Sequence, residues 1–83
     1  MAGYIRPMSD IVTNLTQNLK YYRAKMGLSQ RDLADISGVN RSHLASIESG
    51  TQPNTSLLTV KKLAAALGVS ALELLQPIKH ESD

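Results

Sequence analysis

Cysteine is absent from the 83 residues, and so are phenylalanine and tryptophan. Without cysteine there is no disulfide framework, no thiolate metal site and no thiol nucleophile, a pattern that fits a reducing cytoplasm. The only histidines are His43 and His80, and with no cysteine beside them they make no zinc ligand set. No apolar run approaches the roughly 20 residues that span a bilayer. The opening MAGYIRPMSD also lacks the apolar stretch of a secretory signal. There is no histidine–carboxylate cluster, no glycine-rich phosphate loop, and too little chain to enclose a substrate cleft. These gaps argue against an enzyme. No segment alternates polar and apolar residues, so strands are not expected. What remains is one all-α domain whose core is built from Leu, Ile, Val, Ala and Met.

The formal net charge is only +2, but it is unevenly placed. Residues 1–62 carry eight Lys/Arg against four Asp/Glu, and residues 63–83 carry one against three. A basic excess of this size suits a nucleic-acid partner, although many ordinary domains share it.

Five helices are expected. The first runs from Ser9 or Asp10 to Met26, with Ile11, Leu15, Leu19, Tyr22 and Met26 forming one buried stripe. Gly27 follows as a left-handed terminator, with Leu28 folding back as its apolar partner. The second helix opens at Ser29-Gln30-Arg31-Asp32, a short-armed capping box, and stops at Ser37-Gly38. Asn40 caps the third, which runs from Arg41 to about Ser49 and is closed by Gly50. Thr51-Gln52-Pro53-Asn54-Thr55 reads as a polar loop. Ser56 or Thr55 caps the fourth helix, whose buried stripe is Leu57, Val60, Leu63, Ala64 and Leu67, and Gly68 ends it. Ser70-Ala71-Leu72-Glu73 is a capping box for a short fifth helix ending at Gln76, where Pro77 blocks continuation. Residues 1–9 are then an N-terminal arm, 10–76 the folded domain and 77–83 a frayed tail.

Residues 30–47 carry the most information. Ala34 lets two short helices approach closely at a steep angle. Gly38, four positions on, supplies the positive φ of a tight turn without a Cβ clash. Leu44 and Ile47, three apart, turn one face of the next helix into the core and leave the other free. A protruding helix with an exposed N-terminal turn has the shape of a major-groove reader.

The segments GLSQRDLA, SGVNRSHLASIESG and LAAALGVSALELL together resemble the lambda-repressor and Cro-like helix-turn-helix family, also called the Xre family. The resemblance covers roughly residues 14–76. It is similar to that of Cro-type repressors, SinR-type domains and the controller proteins of restriction–modification systems. The loop after Gly50 is one residue longer than the family's usual pattern, a length found in SinR-type domains. The resemblance implies a homodimer on a pseudo-palindromic operator in double-stranded DNA. Its two recognition helices would enter successive major grooves about 34 Å apart. It implies neither a cofactor nor a metal.

On the resemblance, base readout falls to Arg41, Ser42, Ala45 and Ser46. Arginine can form a bidentate pair with guanine O6 and N7, short hydroxyls donate or accept alike, and the Ala45 methyl suits a thymine methyl. An ordinary solvated helix face would need no other residues. Phosphate contacts fall to Gln30, Asn40, His43, Thr51, Gln52 and Asn54. Capping alone would explain Asn40, and turn formation would explain the loop residues. The resemblance pairs Arg23 with Glu48 as a structural tie between the first and third helices. Leu72, Leu75 and Ile78 are the expected dimer residues, unless the leucines only close the monomer core. Tyr4, Ile5 and Arg6 in the arm could join the dimer or reach DNA.

Two function classes stay open. The first is a sequence-specific transcription regulator, repressor or restriction–modification controller, in the cytoplasm. The second is an antitoxin or other protein-interaction subunit whose helix-turn-helix autoregulates its operon, with a protein partner on another surface.

Overall fold

A computed structural model describes residues 8–51 and 55–77, with side chains from Ile11 onward. Five helices follow in order: α1 Met8–Lys25, α2 Gln30–Ser37, α3 Arg41–Ser49, α4 Leu57–Leu67 and α5 Ala71–Leu75. No strand occurs among the described residues. The helices pack around Leu15, Leu19, Leu33, Leu44, Ile47, Val60, Leu63, Leu67 and Leu74, all buried. α1 lies against α3 and α5, α2 against α3 and α4, and α4 against α5.

Local chemistry sets the boundaries. The Ser29 hydroxyl accepts from the Asp32 N–H at 3.0 Å, and the Asp32 carboxylate accepts from the Ser29 N–H at 3.0 Å. Ser70 and Glu73 repeat this reciprocal pair at α5. Between the two alternatives for α4, Ser56 is the cap, accepting from the Thr59 N–H at 3.1 Å. Each bond satisfies an N–H that the first helical turn would otherwise leave orphaned. α1 closes by a paired motif: Gly27 N–H donates to Ala24 O and Leu28 N–H to Arg23 O, both at 3.0 Å. Leu28 then folds onto the core.

Three stripe residues differ from the periodic reading. Ile11, Met26 and Leu57 are exposed, not buried. Each lies near or just beyond a helix end, where a periodic pattern does not tell whether a neighbouring helix reaches far enough to cover the side chain. Ile11 and Leu57 flank an open apolar groove between the first turns of α1 and α4, and Met26 follows the last residue of α1. α1 begins at Met8, ahead of the expected Ser9 or Asp10, and stops at Lys25, one residue short of Met26. α5 likewise stops at Leu75, with Gln76 extended rather than helical.

Candidate nucleic-acid interface

The turn between α2 and α3 is built as its sequence demands. Gly38 has φ +79° and its N–H bonds Ala34 O at 2.9 Å. A Cβ there would meet nothing within 4 Å, so backbone conformation rather than space selects glycine. Ala34 is buried at the crossing. Two residues later the Asn40 Oδ1 accepts from the His43 N–H at 3.2 Å and starts α3.

α3 divides cleanly into two faces. Leu44, Ile47 and Glu48 are buried. Arg41, Ser42 and Ser49 are exposed, and His43, Ala45 and Ser46 are half-exposed. At about 100° per residue, Arg41, Ser42, Ala45, Ser46 and Ser49 form one continuous strip opposite the buried set. The structure thus brings together all four residues expected to read bases. The Ser46 hydroxyl donates to Ser42 O at 3.0 Å, so toward any further group it can act only as an acceptor.

The only acidic residue of α3 is turned inward. Glu48, 4% exposed, accepts from Arg23 Nε at 2.8 Å, Arg23 Nη2 at 2.9 Å and Gln30 Nε2 at 3.0 Å. Arg23 also donates Nη1 to Leu28 O at 2.9 Å, so its guanidinium is fixed at both ends. The bond to Glu48 raises the Arg23 pKa above its ordinary value and outweighs the desolvation that opposes it. Arg23 and Glu48 are therefore in contact as a bidentate pair. The Gln30 link was not foreseen from sequence. It joins the first residue of α2 to the last turn of α3 and clamps the two helices. With Glu48 hidden, Arg41 is the one charged side chain on the outer face of α3. No carboxylate there opposes a polyanion.

The expected phosphate contacts fall into three groups. Gln30, Asn40 and His43 lie at the N-terminal ends of α2 and α3, where backbone N–H groups point outward. Asn40 spends its side-chain oxygen on capping α3. Thr51 instead seals the far end of α3: its N–H and hydroxyl reach Ser46 O at 3.0 and 3.3 Å, and its hydroxyl meets Ser49 Oγ at 2.9 Å. Gln52 and Asn54 lie outside the described residues, as do Ile78, Tyr4, Ile5, Arg6 and His80.

Of the expected dimer residues, Leu72 is 67% exposed, whereas Leu75 is half-buried against the chain's own core. Among the described residues no three His, Asp or Glu side chains gather as a metal site. No helix there is long and apolar enough to cross a membrane.

The family model described as helix-turn-helix matches residues 19–74. The chain belongs to the helix-turn-helix family. Over 67 residues it is 42% identical to the HTH-type transcriptional regulator SinR of Bacillus subtilis, matching 81% of this chain and 60% of SinR. It therefore spans three fifths of that relative's length. Over 74 residues it is 40% identical to the control protein C.SmaI of Serratia marcescens, covering 87% of each. The crystal structure of the restriction-modification controller protein C.AhdI from Aeromonas hydrophila superposes with a TM-score of 0.71. That match has 40% identity and covers 76% of this chain and 94% of that one. The all-α fold and the Xre-type assignment expected from sequence agree with these matches.

Proposed function

We propose that this chain is a transcription regulator that binds double-stranded DNA as a homodimer on a pseudo-palindromic operator. One observation carries the reading: the outer face of α3 is led by Arg41 and free of carboxylates, because Glu48 is buried behind it. In this reading α3 enters the major groove and Arg41, Ser42, Ala45 and Ser46 meet base edges. Gln30, Asn40 and His43 meet phosphate, and Thr51, Gln52 and Asn54 follow the backbone beyond α3. Leu72, Leu75 and Ile78 hold the second copy. The likeness to controller and regulator proteins supports the class. The site of action is the cytoplasm, and no cofactor is required.

A second reading has its own observation. Leu57, Leu58, Leu72 and Ile11 are all exposed, enough apolar surface for a different protein to cover. In that case the chain is an antitoxin-like subunit whose helix-turn-helix regulates its own operon. Sedimentation separates the two: a clean dimer at micromolar concentration supports the regulator, and a monomer that dimerises only weakly supports the partner.

Selection of random duplexes on the purified chain tests the main reading and yields the operator. Arg41→Ala should then weaken the selected operator by about 1–3 kcal/mol and relax preference at one base pair. An equal loss on random DNA would reduce Arg41 to a phosphate contact. Failure to select any two-fold symmetric sequence would overturn the dimeric-operator reading.

A further inference from the structure

We propose that Asn14 and Asn18 of α1 act together as the C-terminal cap of α5, and so fix the placement of Leu72 relative to the recognition helix α3. The inference rests on the homodimeric-operator reading and assigns its half-site spacing to two asparagines.

Asn18 is 1% exposed, inside a core that is otherwise almost wholly apolar. An amide there is costly unless its hydrogens are used. Both go to the end of α5: Nδ2 donates to Leu74 O at 2.9 Å and to Gln76 O at 2.8 Å. One turn earlier, Asn14 Nδ2 donates to Leu75 O at 3.0 Å. Three consecutive carbonyls at the end of α5 are therefore taken by α1.

α5 needs this help. The four helices before it are each followed by a glycine of positive φ: Gly27, Gly38, Gly50 and Gly68. α5 ends instead on Gln76, at φ −92° and ψ 163°, so the usual left-handed terminator is missing. It also has only five residues, far below the length at which a helix holds itself. Its own N-terminal capping box orders the first turn, but the orphaned carbonyls of the last turn depend on α1.

The same helix also grips α3. Thr16 Oγ1 donates to Ile47 O at 2.8 Å, and Arg23 holds Glu48. One rod thus carries directed bonds to the last turns of both the reading helix and the helix that presents Leu72. A leucine at position 18 would fill the core but leave the end of α5 free to pivot. In a dimer formed through α5, such a pivot would move the two copies of α3 relative to each other.

The test uses duplexes selected by the wild-type chain, remade with the half-site separation changed by one or two base pairs. Asn14→Ala, at a half-buried position, should stay folded and bind a single half-site as wild type does. Its dimer dissociation constant should rise about threefold to tenfold, in line with the loss of one hydrogen bond. Its penalty for misspaced duplexes should shrink. Asn18→Ala should show both effects more strongly. Should it fail to fold, Asn14→Ala still decides. Gln17→Ala, on the exposed side of α1, should change neither quantity. If Asn14→Ala lowers thermal stability while dimer affinity and spacing preference stay as in wild type, the bonds are ordinary stabilising contacts and the proposal fails. If the wild-type chain itself neither dimerises nor selects a symmetric duplex, the regulator reading fails and the inference goes with it.

Discussion

Removing either partner of the Arg23–Glu48 pair should destabilise the fold, but not equally. The two side chains are 21% and 3% exposed, respectively. Arg23→Ala leaves a carboxylate that the intact fold buries almost completely, with only the Gln30 amide for company. Stranding a buried charge costs about 3–5 kcal/mol, and this variant should fall in that range. Glu48→Ala leaves a guanidinium that already touches solvent at one edge and keeps Leu28 O as a partner. Its loss should lie nearer ~2 kcal/mol, between the buried and surface limits. Urea unfolding followed by far-ultraviolet circular dichroism measures both. With a slope of about 1 kcal/mol per molar for so small a domain, the midpoints should fall by roughly 3 M or more and by roughly 2 M. Such losses consume much of the ~5–15 kcal/mol that holds a typical domain folded. The reasoning is refuted if Glu48→Ala proves the more damaging change. A loss under ~1 kcal/mol for Arg23→Ala would also refute it, since the pair would then behave as a surface contact.

Two further outcomes follow from local geometry. Gly38→Ala should cost about 1–2 kcal/mol although open space surrounds the site, because the left-handed backbone itself is strained for an L side chain; a neutral result in thermal melts would contradict this. The Ser29 N–H and hydroxyl hold the Asp32 carboxyl below its ordinary value of 3.8. Because the folded pKa is depressed, the contribution is present above the unfolded value and disappears as pH falls through the folded one. The difference in Tm between wild type and Asp32→Ala should therefore be constant at neutral pH and vanish in strong acid. A difference that grows on acidification would show the sign to be wrong.

Much of the fold was legible because its signals are local. Ser29, Asn40, Ser56 and Ser70 each bond an N–H three residues on, a distance that a sequence displays directly. The turn at Gly38 and the inward residues Leu44 and Ile47 were legible for the same reason. Ile11, Met26 and Leu57 were misplaced because periodicity identifies a face but not how far the neighbouring helix extends along it. The roles of Asn14 and Asn18 are not legible locally because their partners lie 56 to 61 residues away. A signal was nevertheless present: position 18 falls on the same helical stripe as Leu15, Leu19 and Tyr22, where a polar residue demands a reason. At the candidate interface the outward strip of α3 could be anticipated. The Gln30–Glu48 bond could not, since nothing local relates those positions.

Leu44, Ile47 and Glu48 of α3 serve the scaffold, whereas the side chains of Arg41, Ser42, Ala45 and Ser46 lie outside the core, and Ser49 helps to close the helix by bonding Ser46 O and Thr51. Mutational change can therefore rewrite the outer lettering without disturbing the hinge pin that carries it. On the proposed base readout, a chain of this design is free to drift toward new target sequences, or to be retargeted by grafting a foreign strip of side chains, while its melting behaviour stays nearly as it was.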